Sequence, residues 1–379
     1  MTRSRRVGEF TFDSHGGHVF NTKSARVKKW VFGHLPERRW QFSQRIAKIW
    51  YRDKMISYPF ELALSELPAE EATECILGIL QKKGRQPDTF AEWLVWNFGK
   101  PIAEKYLLPY NRKIWRRDLS RMSPHWVKGK MPLPELKEIL YSALNKDATE
   151  REMVHSSYYY PKIGGINGFI QQVTSALTNV RLSSPLMNLE KQKGHFIVNG
   201  DIRAKRLVST IPIPEFTRAV KGTPVKVKRS VAKLDSNSIT TILCEQKKGK
   251  TLSWLYLPSR EFSAHRIVYQ GGLANGNCPP GKFAATYEIT GRHAPAGVIE
   301  GFTKRMLPDE LRASRILDHA FTKYAYPVYH HGFQKDMAVV EAWLRSQSVI
   351  SCGRFAEWKY FNMDHCIERA FEVSDSITS

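Results

Sequence analysis

Glycine, aromatic and arginine clusters occur in distant parts of the chain: FDSHGGHVF at 12–20, YYYPKIGGINGF at 158–169, HRIVY at 265–269 and GRFAEWKYFNMDH at 353–365. These residue types suit phosphates and flat rings. A glycine lets the backbone approach a phosphate, an arginine fork grips it, and a helix start adds free N–H groups. Gly353-Arg354 ahead of an aromatic-rich turn, with Asn362-Met363-Asp364 opening a helix, suits a bound dinucleotide. Lys162 and Gly164-Gly165 before a helix form a weaker anion candidate, ranked behind ordinary packing. The sequence has no GxSxG, HExxH or GxxxxGKS/T motif. His15 and His18 lack metal-site partners, so no metal is expected, and His330-His331 reads as a loop or strand end.

The elements that must carry these residues are partly legible. Phe10 and Phe12 alternate with polar neighbours, as in a strand with one buried face. Pro68 to Lys83 reads as a helix, with Glu70 and Glu71 early, Lys82 and Lys83 late, Gly84 beyond, and Ile76, Leu77, Ile79 and Leu80 as its apolar positions. Gly165 to Leu177 carries one apolar stripe at helical spacing. His195–Val198 and Arg206–Ile211 around Asn199-Gly200 predict a hairpin. Phe283, Ala285, Tyr287 and Ile289 predict a strand, and Met337 to Leu344 a helix. Asp364 is expected to cap a last helix through Ile367, Ala370 and Phe371.

Composition bounds the rest. The 379 residues are 42% hydrophobic and 12% aromatic, enough for a buried core over two intertwined domains. No apolar run approaches the roughly 18 residues of a membrane span. Five scattered cysteines without redox or zinc spacing, and no secretory leader, point to a reduced, cytoplasmic setting. The net charge of +22 favours anionic partners: phosphates, nucleotides, nucleic acid or an anionic membrane. Lys23–Lys54, basic and interleaved with Trp30, Trp40, Trp50 and Tyr51, offers contacts for nucleic acid, but no recognised binding module accompanies it, so nucleic acid is disfavoured.

Read in order, FDSHGGHVF, FGKPIAEKYLLPYNRKIW (98–115), YPKIGGINGF, STIPIPEF (209–216), HRIVY and GRFAEWKYFNMD resemble the UDP-galactopyranose mutase-like branch of the flavin amine oxidase and protoporphyrinogen oxidase-like superfamily. The resemblance runs along nearly the whole chain. It implies an α/β fold: a Rossmann-like FAD-binding domain of the amine oxidase/mutase type, a helical insertion and an antiparallel-sheet substrate domain. The implied division is 1–57, 133–215 and 331–379 for the FAD domain, 58–132 for the insertion and 216–330 for the substrate domain. Such proteins open with a strand, a GxGxxG turn and a helix. Here Val7-Gly8-Glu9-Phe10 looks like the tail of that unit, so an N-terminally truncated FAD domain is expected.

The resemblance also implies chemistry. In that branch reduced FAD attacks the sugar's anomeric carbon and displaces UDP, and ring opening and reclosure convert pyranose to furanose. It points to Gly16, Gly17 and His18 near the isoalloxazine. It points to Gly353, Arg354, Met363 and Asp364 near the pyrophosphate, ribityl chain and ring, and to Met187 near adenine. Arg266 and Tyr326 are the candidate catalytic residues, with Arg266, Tyr324 and Tyr329 binding substrate. Arg112 is a candidate second clamp arginine. Tyr106, Asn111 and Trp115 lie in a strong motif and either serve the site or organise the insertion. Tyr269, three residues from Arg266, is expected on the opposite face of its strand. A nucleotide-sugar substrate, a role in glycan biosynthesis and a homodimer follow from the same kinship. An FAD-dependent oxidoreductase and a truncated, non-catalytic homologue remain the alternatives.

Overall fold

The computed structural model describes residues 2–81, 87–127, 130–131, 133–145, 156–247, 252–304 and 307–378. The chain forms two compact units. Unit 1 comprises 1–21, 32–172 and 237–323, and unit 2 comprises 22–31, 173–236 and 324–379.

Unit 1 is built on a seven-stranded mixed sheet. Its order is Arg315–Val328, Asp235–Gln246, Phe283–Thr290, Arg266–Tyr269, Trp254–Tyr256, Ala47–Tyr51, Lys54–Ser57. The Trp254–Tyr256 and Ala47–Tyr51 strands run parallel. One face packs Leu255, Ile267, Tyr269, Tyr287 and Ile289 into the main core with Phe262 and Phe302. Phe283–Thr290 is the strand expected from its alternation, yet all but its first residue are buried, because both faces are covered. Phe10–Asp13 is likewise buried throughout. It pairs antiparallel with Ser4–Val7 across a turn whose Gly8 has φ 55°. Val7 to Phe10 is therefore the turn of a hairpin.

The helical stretch of unit 1 holds the helices Ala69–Leu80, Phe90–Phe98, Leu108–Trp115 and Leu136–Asn145. The first lies where Pro68 and the early glutamates put it, but it buries Cys75 and Ile79 and leaves Leu77 and Leu80 exposed. Lys82, Lys83 and Gly84 lie outside the described residues. Thr89 and Glu92 close a capping box on the second helix. It ends at Gly99, whose φ of +78° suits glycine alone and whose added Cβ would lie 2.5 Å from the Gly78 carbonyl carbon. Gly99→Ala is therefore expected to cost more than about 2 kcal/mol, read from the urea midpoint.

Unit 2 packs its own core from Phe196, Ile213, Phe216, Val340, Trp343, Phe355 and Trp358. It contains a parallel pair, Leu207–Ser209 with Val349–Ser351, and a three-stranded antiparallel sheet, Leu189–Gln192, His195–Val198, Ile202–Ala204. The expected hairpin forms, but its second arm is Ile202–Ala204. Asn199 and Gly200 both take positive φ, 54° and 85°, a tight turn after which pairing resumes at once, so residues 206–211 lie too far along to be the partner. The helices Phe333–Ser346 and Met363–Thr378 complete the unit. Asp364 sits inside the first turn of the latter rather than capping it.

Candidate functional site

On the sheet face opposite the main core of unit 1, register sets four residues side by side on neighbouring strands. Tyr256 faces Arg266, Arg266 faces Glu288, and Glu288 faces Thr241. Directly opposed residues share a face. Tyr269, three positions from Arg266, points into the core and donates to the Glu310 carbonyl at 2.7 Å, as its spacing predicts.

Glu288 joins this row together. It is fully buried, and its Oε2 accepts from Arg266 Nε at 2.7 Å and a second guanidinium nitrogen at 2.5 Å. Its Oε1 takes the Gly17 N–H at 3.4 Å. Gly16 has φ +97°, and a Cβ there would stand 3.3 Å from Glu288 Oε1; one on Gly17 would stand 3.2 Å from Val268. The loop approaches the sheet this closely because neither residue has a side chain. Its other end is tied by Thr241, whose hydroxyl donates to the Ser14 carbonyl at 2.8 Å.

A second buried carboxylate, Asp13, starts the same loop. It accepts from Ser4, from Tyr160 at 2.8 Å to each oxygen, and from the His18 N–H. Burial pushes its pKa up to about 6 against these bonds. Burial likewise keeps His265 neutral, with a pKa well below its ordinary value; its Nε2 lies 3.8 Å from Glu288 and its Nδ1 has no partner among the described residues. Lys113 donates to the Leu257 and Ser259 carbonyls at 2.8 and 2.7 Å, and burial lowers its pKa to about 7.

The helical stretch adds an aromatic group beside Tyr256. The Tyr58 and Tyr110 rings lie 4.7 and 5.5 Å from it, Tyr106 stacks on Tyr110 at 5.4 Å, and Arg45 covers Tyr58 at 5.0 Å. Ala103–Leu107 is a π-helical turn just before Pro109, where a missing N–H and ring bulk disturb regular pairing. Asn111 and Trp115 organise this helix: Trp115 donates to Asn111 at 3.1 Å, and Asn111 to the Leu107 carbonyl. Arg112 is exposed on it. Glu61 is buried near Tyr58 and Tyr106 with no partner from another residue among those described, and burial raises its pKa to about 7. Lys162 and Gly164-Gly165 make no open anion cradle, because a Cβ on Gly165 would meet Ser4 and Thr11 within 2.9 Å.

The remaining candidates belong to unit 2. Gly353 has φ +99°, and open space stands where its Cβ would be, while its N–H donates to Glu357. Arg354 donates to the Phe361 and Ala325 carbonyls and sits over the Tyr326 and Tyr360 rings at 5.2 and 4.5 Å; those rings stack on each other. Its bonds tie the strand end to the 353–361 turn and so position Tyr326. Tyr324 donates to Glu215 at 2.7 Å and packs against Phe355 and Trp358. Tyr329 is buried against Phe333 and bonds the Tyr360 backbone. Met363 begins the last helix, Asp364 lies 2.9 Å from His365 Nδ1, and exposed Met187 donates its N–H to Asn199.

The architecture is the mixed α/β fold of flavin-dependent amine oxidases and sugar mutases. No family model matches the sequence. A reduced UDP-galactopyranose mutase superposes with a TM-score of 0.90 at 22% identity, over 100% of this chain and 87% of that one. A protein described as a protoporphyrinogen oxidase from Exiguobacterium gives 0.73 at 15%, over 99% and 89%. Cyclohexylamine oxidase from Brevibacterium oxydans gives 0.66 at 12%, over 100% and 91%.

Proposed function

We propose that this chain is an FAD-dependent, mutase-like enzyme that interconverts the pyranose and furanose forms of a nucleotide sugar. One observation carries the reading: Arg266 is oriented by buried Glu288, beside Tyr256 and under the Gly16-Gly17 loop. A diphosphate needs a positioned cation, and Arg266 supplies one whose orientation is fixed before any ligand arrives. The Tyr58, Tyr110 and Tyr256 rings would pack on a base or sugar. Arg266 favours an anionic substrate over an amine, which sets the mutase reading above that of an oxidase.

Bound FAD would supply the nucleophilic and redox chemistry. In unit 1, Gly16, Gly17 and His18 would face its ring system, and the left-handed Gly16 suits that role. In unit 2, Gly353 combines a left-handed backbone with open space, and with Met363 and Asp364 would meet the phosphates and ribityl chain. Arg354 would act by positioning Tyr326, and Met187 would lie near adenine. Tyr324 and Tyr329 would bind substrate with one side of rings that also pack on Trp358 and Phe333.

The test is the visible spectrum after incubation with FAD and desalting. Retained flavin bands, followed by furanose formation under reducing conditions without net oxidation, are the expected result. Oxygen consumption with an amine would favour the oxidoreductase. A colourless protein would overturn the flavoenzyme reading for this chain.

A further inference from the structure

Residues 174–188 of unit 2 lie almost wholly at the surface, although they include Leu177, Val180 and Leu182, exposed by 57%, 51% and 84%. The end of this stretch is pinned. Asn199 accepts the Met187 and Asn188 N–H groups at 2.8 and 3.2 Å and donates to the Pro185 carbonyl at 2.9 Å, and Arg181 reaches Asp201 at 3.4 Å. The hairpin turn at Asn199 thus supports a loop with aliphatic side chains in water. Exposed apolar groups concentrated in this way mark interaction surfaces.

The same part of the chain is strongly basic. Between residues 173 and 236 there are twelve Lys and Arg against four Asp and Glu. Lys193, Arg203, Lys205, Lys226, Lys228 and Arg229 are exposed and have no carboxylate partner among the described residues. A single nucleotide substrate leaves most of this charge without a role. We propose that the 174–188 loop, together with these cations of the same unit, binds an anionic lipid surface. The aliphatic side chains would enter the headgroup boundary while the cations attract the headgroups, and the two contributions reinforce each other. Nucleic acid fits less well, because the loop has no aromatic side chain to stack on a base. No described helix is long and apolar enough to cross a membrane, so attachment through this loop would be peripheral. The inference does not depend on flavin binding.

The full chain is sedimented with vesicles of phosphatidylcholine alone and of phosphatidylcholine with about one-third phosphatidylglycerol, at roughly 0.05 and 0.5 M salt. Binding is expected only to the anionic vesicles, falling at high salt. Leu177→Ser with Leu182→Ser should weaken it by about tenfold or more, and Lys226→Glu with Lys228→Glu should weaken it and flatten its salt dependence. Leu144→Ser, equally exposed at 82% but in unit 1, should bind as the parent does. Circular dichroism checks that each variant is folded. No partition to anionic vesicles, as a polypeptide or nucleic-acid partner would give, overturns the proposal. So does equal binding by the Leu177/Leu182 and Leu144 variants.

Discussion

Arg266→Ala is expected to destabilise the protein by about 3–5 kcal/mol, because it leaves Glu288 as a buried charge without its cation. Glu288 is 0% exposed and Arg266 only 21%, so solvent cannot replace the lost partner. Glu288→Ala should cost a similar amount and also free the Gly17 N–H, loosening the loop over the sheet. Arg266→Leu with Glu288→Leu should fold with close to parental stability, since apolar residues of similar volume often replace a buried ion pair without loss. Urea unfolding of the three variants compares these costs. An Arg266→Ala variant as stable as the parent would show that the pair does not define this face. Under the mutase reading, Arg266→Lys keeps charge but loses the fork. It should spare much of the stability and lower turnover by roughly tenfold or more.

Local pattern identified the segments; register assembled the site. HRIVY marked Arg266 as an arginine and aromatic cluster and through its resemblance to the mutase-like branch. Glu288 carried no such mark: within FAATYEIT it reads as one polar residue in an apolar alternation. Only the pairing of Arg266 with Glu288, and of Tyr256 with Arg266, shows that three distant residues share a face. Tyr58 and Glu61 were invisible for the same reason. The Asn199-Gly200 turn was legible, whereas the fate of the following strand was not, because Leu207–Ser209 pairs with Val349–Ser351, about 140 residues away. An acid inside an apolar strand, opposite an arginine on the next, is the signal that a search by residue type passes over.

Glu61→Gln is expected to raise stability by about 3 kcal/mol near pH 8 and to change little near pH 4. Burial lifts the Glu61 pKa from an ordinary 4.5 to about 7. Between those values the folded protein holds a proton that the unfolded chain has released. This contribution is complete below the unfolded value and is lost as pH rises through about 7. Above that, folding must bury a carboxylate whose one partner is its own backbone N–H, a penalty that neutral glutamine avoids. Asp13, lifted from 3.8 to about 6, adds a slope of the same sign at lower pH. The two residues should nevertheless respond differently to neutralisation. Asp13 accepts from Ser4, Tyr160 and the His18 N–H, so Asp13→Asn gives up part of a working hydrogen-bond set, and its gain at high pH should be smaller. Thermal unfolding of the parent and both variants from about pH 4 to pH 8 separates these effects. A Glu61→Gln variant that tracks the parent across the range would mean that solvent or a ligand reaches this carboxyl. Tyr58 and Tyr106 would then stand over an accessible group rather than a sealed one.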